Sequence, residues 1–306
     1  MVASLALGTM NFGKRTPEPE AARLIAYALH CGVTVFDTAN VYANGESERI
    51  LGRALGPHRH AVTIATKAGL DRGEGLSPAA LTRAVDGSLG RLHVDTIDLF
   101  YLHAPDAKTP LESTLDGVAA LFAAGKIRRL GVSNYAAWQI LEIGQLLAER
   151  SLPALGASQV LYNLLLRELE IEYLPFAKQH GLHTTVFNPL AGGLLVGAHA
   201  EGQAPPAGSR FATNALYRGR YWTTRMFKRV QSLKELAREE GMSLLQLAYA
   251  WLAQRPQVDS ILVGPATLGH FDDARAALGK TVSAEGLQKI DALHLDERGS
   301  DTYYVR

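Results

Sequence analysis

Four side chains that could together perform acid–base chemistry lie near the ends of successive strand-like segments. Asp37, Lys67 and His103 each close or follow a short apolar segment, and Tyr42 lies in the loop after Asp37. A phenol in water has a pKa of about 10, which is too high for efficient proton donation at neutral pH. A neighbouring ammonium lowers that pKa, and a carboxylate can hold the ammonium in place. With an imidazole to orient a carbonyl oxygen, this set could protonate that oxygen while another group delivers a hydride.

Each of these residues alone has an ordinary structural interpretation. An aspartate after a strand usually caps a helix or a turn, and a lysine at a strand end is usually a surface residue. His103, which precedes Ala104 and Pro105, could equally be a core histidine. The functional interpretation depends on all three standing at consecutive strand ends, because these ends meet at one face of a parallel barrel.

The segments that must position these side chains alternate regularly along the chain. Short apolar runs suit parallel strands that are buried on both faces, and amphipathic helical patterns separate them. Eight such units in 306 residues predict an α/β fold, a (β/α)8 TIM barrel, as one domain over residues 1–306. The predicted strands cover residues 5–7, 33–37, 62–66, 97–102, 127–132, 157–160, 184–187 and 260–263.

Helix signals fill the gaps between the predicted strands, with one exception. Ser77 before Pro78 predicts a helix start, and residues 109–112 predict a capping box. Further helices are predicted over residues 19–30, 46–55, 135–149, 168–180, 243–254, 268–278 and 284–293. After the seventh strand, about forty residues rich in glycine and proline lack such a pattern, which predicts a long functional loop.

Composition limits the classes of partner and location. The net charge is +1, so no global charge favours nucleic acid, and the single cysteine, Cys31, allows no internal disulfide. Neither a targeting segment nor an apolar run of membrane-spanning length stands out. We therefore expect a cytoplasmic protein that binds neither nucleic acid nor membrane. His58 and His60, or His180 and His183, lack further ligands at zinc-site spacing, so we predict no metal site.

Several longer motifs occur in a fixed order, and together they resemble the aldo-keto reductase superfamily. They are residues 36–39, Tyr42, residues 45–48 and 51–52, Thr66-Lys67, residues 98–103 and residues 131–134. The resemblance covers nearly the whole chain. Residues 4–10, 102–106, 133–138, 187–195, 217–218 and 220–222 look most like the aflatoxin aldehyde and succinic semialdehyde reductase branch.

The resemblance implies NAD(P)H-dependent reduction of aldehydes to alcohols. Tyr42 would be the proton donor, Lys67 and Asp37 would tune its pKa, and His103 would align the carbonyl. The implied cofactor-binding residues surround the nicotinamide and the phosphates: Ser133, Asn134, Gln159, Phe187, Asn188, Pro189, Leu190, Gly192, Leu194, Gly197, Arg210, Gly264, Thr267 and His270.

The resemblance also implies a substrate wall made of Met10, Tyr217, Arg220 and Arg306. Two arginines there would suit an aldehyde that carries a carboxylate or a second carbonyl group. Without the resemblance, the basic and aromatic residues 217–229 would be interpreted as a solvated face or, less readily, as a contact for single-stranded nucleic acid.

The cofactor expected from the resemblance is NADPH, with NADH as the alternative. Relatives often place a lysine or serine, an arginine and an asparagine around the adenosine phosphate, where this chain has Gly264, His270 and Ala274. Thr267 keeps a hydroxyl and Arg275 lies nearby.

Two other functions fit the same residues. Lys67 could form a Schiff base in a barrel lyase, or the barrel could bind a nucleotide as a regulatory subunit. A homodimer is compatible with the resemblance.

Overall fold

Eight parallel strands close into a barrel in the computed structural model, which describes residues 3–70, 73 and 75–298. The strands are β1 (Ser4–Gly8), β2 (Val35–Asp37), β3 (Thr63–Ala68), β4 (Leu99–Leu102), β5 (Leu130–Ser133), β6 (Ala157–Leu161), β7 (Thr184–Phe187) and β8 (Ser260–Val263). Each strand pairs with the next in chain order, and β8 pairs with β1. The predicted α/β class and (β/α)8 TIM barrel are therefore confirmed.

Helices surround this barrel, and most of them bury its apolar outer face. They are α1 (Glu18–His30), α2 (Glu46–Leu55), α3 (Pro78–Leu92), α4 (Leu111–Ala123), α5 (Ala137–Glu149), α6 (Tyr173–Gln179), α7 (Arg210–Thr213), α8 (Ala215–Tyr221), α9 (Thr224–Glu239), α10 (Leu244–Ala253), α11 (Leu268–Leu278) and α12 (Ala284–Arg298). Of these, α7 and α8 belong to the segment between β7 and β8 and pack against the 3-10 turn Ala191–Val196. Leu24 and Ile25 of α1, for example, pack with Phe36 of β2 in a fully buried cluster. Each such side chain stabilises the fold by roughly 1.5–3 kcal/mol.

The predicted boundaries differ from the structure where local chemistry competes with the hydrophobic pattern. The helix predicted over residues 168–180 is a 3-10 turn (Glu168–Glu170) followed by α6. Pro175 lies in the first turn of α6, where its ring would clash with a helical residue four positions earlier. The capping box at residues 109–112 is also wrong, because Pro110 is the N-cap residue and the Thr109 hydroxyl donates to Asp106 instead.

The long segment after β7 is largely folded. A 3-10 turn (Ala191–Val196), α7 and α8 precede α9, which begins at Thr224 rather than near residue 230. The rings of Phe211, Trp222 and Phe227 pack in sequence, the first pair tilted and the second edge to face, with centroid distances of 4.9 Å and 5.1 Å. This aromatic packing holds the segment against the barrel without regular helical periodicity.

Alternate residues of each strand point into the barrel, as the two-residue period of a strand requires. The same face therefore carries Asp37 of β2, Lys67 of β3 and Gln159 of β6. Gly131 of β5 lies on this face too, and a Cβ there would come within 2.5 Å of the Tyr101 ring. Glycine thus makes room for a tyrosine inside the barrel.

Candidate active site

A buried ion pair lies at the carboxyl ends of β2 and β3. Lys67 is fully buried and its ammonium is paired with the Asp37 carboxylate, which is 2% exposed. The ammonium also donates to the backbone oxygen of Thr38 at 2.8 Å, and Gln159 Nε2 donates to Asp37 Oδ2 at 2.8 Å. These hydrogen bonds hold a charged lysine in one position, which a solvated lysine would not keep.

Tyr42 and His103 complete a compact group with this ion pair. Tyr42 begins a 3-10 turn after β2, and the Lys67 ammonium lies 5.3 Å from the centre of its ring. The His103 ring follows β4 and lies 6.1 Å from the Tyr42 ring, edge to face. The structure thus brings together four side chains that lie up to 66 positions apart in the sequence, from Asp37 to His103.

The pKa of Tyr42 is raised, whereas the sequence predicts that it is lowered. Burial raises the pKa most, the Lys67 charge lowers it, and the Asp37 charge raises it again. The expected effect of the lysine is present, but desolvation of the phenolate outweighs it. For Lys67, burial lowers the pKa and the Asp37 charge raises it, with a net increase. Both groups are therefore protonated at neutral pH in this structure.

His103 is a neutral imidazole in the folded protein. Burial and the Lys67 charge lower its pKa to about 3. Its Nδ1 atom is buried and has no hydrogen-bond partner within the described part of the chain. A neutral imidazole can donate a hydrogen bond to a carbonyl oxygen, but His103 cannot serve as a cationic acid at neutral pH.

We expect the depressed pKa of His103 to make the fold sensitive to acid. An unfolded histidine titrates near pH 6.5, so the stability that depends on neutral His103 is complete above that pH and is lost as the pH falls toward 3. Between pH 6.5 and 4.5 this loss amounts to about 2–3 kcal/mol. His103→Gln, which cannot titrate, should remove this component from urea unfolding measured at both pH values.

The matched control is His58→Gln, because the His58 side chain is exposed. It should leave the pH dependence of unfolding unchanged. An equal pH dependence in wild type and His103→Gln would contradict the neutral, buried state of His103.

A second buried carboxylate connects the elements that carry the catalytic candidates. Glu48 is fully buried on α2, directly after the turn that begins at Tyr42. Thr66, the neighbour of Lys67, donates to Glu48 Oε1 at 2.6 Å, and Arg91 Nε donates to Oε2 at 2.6 Å. Glu48 thereby fixes the start of α2 relative to β3.

The residues predicted around a nicotinamide lie beside this group. Ser133 is buried at the end of β5, and Phe187 is half-buried at the end of β7. Asn134 has a φ of +64° and donates to the backbone oxygen of His103 at 2.9 Å. Gln159 Nε2 donates to Asp37, and the Gln159 side chain also contacts the Tyr101 hydroxyl.

The segment predicted to hold phosphates is organised by Asn188. Its side-chain oxygen accepts from the Gly192 amide at 2.6 Å, and its nitrogen donates to the Tyr221 hydroxyl at 2.7 Å. Gly192 has a φ of +72°, and a Cβ there would come within 2.7 Å of Tyr217. Glycine is therefore required both by the backbone and by the close approach of α8.

The remaining predicted phosphate-segment residues differ in what they can offer a ligand. Pro189 and Leu194 are buried, whereas Leu190 and Gly197 are partly exposed and can reach a ligand. The Arg210 guanidinium lies 5.1 Å from the Tyr217 ring centre.

After β8, the backbone oxygen of Gly264 accepts a hydrogen bond from Asn11 Nδ2 at 3.0 Å. Thr267 caps α11 by accepting from the His270 amide at 3.3 Å, and His270 Nδ1 accepts from the Ala266 amide. The Thr267 hydroxyl is therefore already engaged by its own helix.

The structure describes three of the four residues predicted to form the substrate wall, namely Met10, Tyr217 and Arg220. Tyr217 lies close enough to Tyr42 for a Tyr217 phenolate to raise the pKa of Tyr42. Arg220 contacts the hydroxyl of Tyr221, a contact that acts to lower the pKa of Tyr221. Met10 is half-buried after β1, and Arg306 lies outside the described residues.

Two residues that support this site, Asn163 and Glu48, could not be recognised from the sequence. Asn163 donates to the backbone oxygen of Asn188 at 3.0 Å and to the Tyr221 hydroxyl at 3.2 Å. No local pattern marks Asn163, because its partners are distant in sequence. Glu48 lies within the motif at residues 45–48, but its burial can be recognised only from its partners in the structure.

Within the described ranges, no helix is long and apolar enough to cross a membrane, and no three His, Cys, Asp or Glu side chains form a candidate metal site. The predicted cytoplasmic location and the homodimer stay predictions.

Comparison with known proteins places this site in a family. The aldo/keto reductase family model matches residues 4–294. A human protein named aflatoxin B1 aldehyde reductase member 2 is 35% identical over 295 residues, covering 90% of this chain and 81% of its own length. A probable voltage-gated potassium channel subunit beta of Oryza sativa subsp. japonica is also 35% identical, covering 95% and 93%. The chain therefore belongs to the aldo/keto reductase family, whose members are oxidoreductases that use nicotinamide cofactors.

Proposed function

We propose that this protein reduces aldehydes to alcohols, with Tyr42 as the proton donor and a nicotinamide cofactor as the hydride source. The observation that carries the proposal is the convergence of Tyr42, Lys67, Asp37 and His103 at one end of the barrel. A phenol, an ammonium and a neutral imidazole around one space suit protonation of a carbonyl oxygen.

The residues beside this group fit a nicotinamide cofactor. A reduced nicotinamide would supply the hydride to the carbonyl carbon. Ser133 and Gln159 offer polar groups for its carboxamide, and Phe187 offers a half-buried ring for stacking. The positive φ of Gly193, together with the open space where a Cβ would stand, leaves the backbone there accessible to phosphate, whereas Tyr217 occupies that space at Gly192.

The protein groups would act on the carbonyl oxygen in a fixed order. His103, being neutral, donates a hydrogen bond that orients the carbonyl. Tyr42, which is protonated at neutral pH, gives its proton to the oxygen as negative charge develops there. Lys67 stabilises the resulting phenolate, and Asp37 holds Lys67 in place.

The substrate class follows from the wall formed by α8. Tyr217 lies near Tyr42, and Arg220 lies next to the buried Tyr221. A guanidinium at the mouth favours substrates with a carboxylate, because the two groups form paired hydrogen bonds. We therefore propose aldehydes that bear a carboxylate or a second carbonyl group.

We expect cofactor oxidation with succinic semialdehyde and 2-carboxybenzaldehyde at higher kcat/KM than with uncharged aldehydes. Arg220→Gln should lower kcat/KM for the carboxylates by about tenfold to a hundredfold, the loss of one charge-assisted hydrogen bond. Arg218→Gln is the control, because Arg218 is exposed on the same helix. Equal losses for charged and uncharged aldehydes would contradict a carboxylate contact at Arg220.

The same assay, run with NADPH and with NADH, tests which cofactor the enzyme prefers. We propose NADPH, and a lower KM for NADH than for NADPH would refute that choice. The Thr267 hydroxyl, which can still donate a hydrogen bond while its oxygen caps α11, and the exposed guanidinium of Arg275 on α11 support NADPH, whereas Gly264 and Ala274 carry no charged side chain.

A regulatory subunit is the second candidate, because one relative is named as a potassium channel subunit. Binding of NADPH without turnover of any aldehyde would favour it. The lyase alternative fits less well, because Lys67 is ion-paired and its raised pKa keeps it from acting as an amine nucleophile.

A further inference from the structure

A cavity of about 220 Å³ lies inside the barrel, behind the candidate active site. Its upper end is lined by Asp37 and Gln159, and its lower end by residues at the amino-terminal ends of the strands. Three of these lower residues, Ser4, Arg129 and His183, are exposed. The cavity thus extends from the back of the Asp37 carboxylate toward the face of the barrel opposite the active-site mouth.

The cavity exists because small residues occupy inward-facing positions. Ala6, Ala65 and Ala157 line its middle, where TIM barrels more often carry bulky branched side chains that fill the interior. Gly131 leaves space for Tyr101, which would otherwise be excluded. The sequence therefore leaves this barrel interior unfilled.

The lining is polar enough to hold water. Tyr101 contacts Thr185 and Gln159 near the top, and Ser260 is within 2.9 Å of His183 Nε2 near the bottom. Water takes about 30 Å³ per molecule in the liquid, so the cavity has room for roughly seven molecules. Asp37 accepts one hydrogen bond from Lys67 and one from Gln159, which leaves two of its lone-pair positions for water.

We propose that water in this cavity carries protons between the amino-terminal face of the barrel and Asp37, so that Tyr42 is reprotonated from behind. This inference rests on the proposed function. With cofactor and carbonyl substrate at the mouth, the front of Tyr42 is covered, whereas the cavity remains connected to Asp37. Proton uptake then precedes product release.

The proton balance of this route is simple. Tyr42 loses its proton to the new alcohol oxygen, and the phenolate takes a proton from the Lys67 ammonium. A hydrated proton from the cavity adds to the Asp37 carboxylate, which passes it to the neutral Lys67 amine. One solvent proton is consumed per aldehyde reduced, and all side chains return to their starting states.

The test follows proton uptake and hydride transfer in one turnover. With a pH indicator and cofactor absorbance in stopped flow, wild-type enzyme should take up its proton at the rate of hydride transfer. Ala6→Leu and Ala157→Leu, which fill the cavity, should keep the rate of hydride transfer but delay uptake to the rate of product release. Ala6→Ser and Ala157→Ser leave the cavity open and should behave as wild type.

Uptake that waits for product release in wild type, or that is unchanged in both leucine variants, overturns the proposal. The measurement on wild-type enzyme tests the proposal by itself, even where a leucine variant does not fold. If no aldehyde oxidises the cofactor, the proposed function is contradicted. The presence of water in the cavity is then tested separately by crystallography. Wild-type crystals should show ordered water within hydrogen-bond distance of Asp37, and its absence overturns the route.

Discussion

Tyr42→Phe is expected to lower kcat for aldehyde reduction by about a hundredfold to ten-thousandfold, the usual contribution of a positioned acid. The substitution removes only the hydroxyl group, so the ring should still pack against His103. Cofactor affinity, measured by fluorescence titration, should stay within about twofold of wild type, because no predicted cofactor contact is removed. The loss should therefore appear in kcat rather than in cofactor binding.

Tyr27→Phe is the matched control for this experiment. Tyr27 lies on α1 in the outer layer, and its hydroxyl donates to Asp272 of α11 at 2.9 Å. It loses the same hydroxyl group at a site away from the barrel mouth, so kcat should be unchanged. Normal turnover by Tyr42→Phe would exclude Tyr42 as the proton donor.

Lys67→Met is expected to affect both stability and catalysis. It leaves the Asp37 carboxylate buried without its counter-charge, which should lower the free energy of unfolding by about 3–5 kcal/mol. It also removes the cation that stabilises the Tyr42 phenolate, so kcat should fall by at least about a hundredfold. Urea unfolding and steady-state kinetics measure the two effects separately.

The double variant Lys67→Met with Asp37→Asn separates charge burial from catalysis. Because the uncompensated charge is gone, it should recover much of the lost stability, while kcat stays low. Lys289→Met is the surface control: Lys289 pairs with Glu239 at 2.8 Å, and both side chains are about half exposed. It should cost less than about 1 kcal/mol. A similarly small cost for Lys67→Met would contradict a charged, buried Lys67–Asp37 pair.

The hydrophobic pattern was sufficient to predict the barrel, because each strand is a short apolar run between strong helix signals. The strand boundaries were predicted less accurately where the hydrophobic pattern continues beyond the residues that pair in the sheet. Ile97 and Ile127 are examples: they continue the apolar character of β4 and β5, yet only an isolated bridge joins them, and the charged residues Asp98, Arg128 and Arg129 separate them from the strands. The folded segment from residue 188 to 223 was not predicted, since its order comes from aromatic packing among Phe211, Trp222 and Phe227 and not from one continuous periodic pattern.

Asp37, Lys67 and His103 could be predicted to lie together because each is at or beside a strand end, a position that sequence reveals, and Tyr42 follows in the loop after β2. The sign of the Tyr42 pKa shift could not, since it depends on how far burial outweighs the Lys67 charge. The contacts of Glu48 and Asn163 were equally hidden, because each joins residues from three separate elements.

The acid–base residues and the substrate wall belong to different parts of the chain. Asp37, Lys67 and His103 are fixed to β2, β3 and the end of β4, whereas Tyr217 and Arg220 belong to a segment inserted after β7. We expect a chimera that carries the β7–β8 segment of another family member to keep the proposed reaction and to change its substrate preference. On the proposed function, aldehyde preference can therefore change through the segment between β7 and β8 while the ion pair inside the barrel stays as it is.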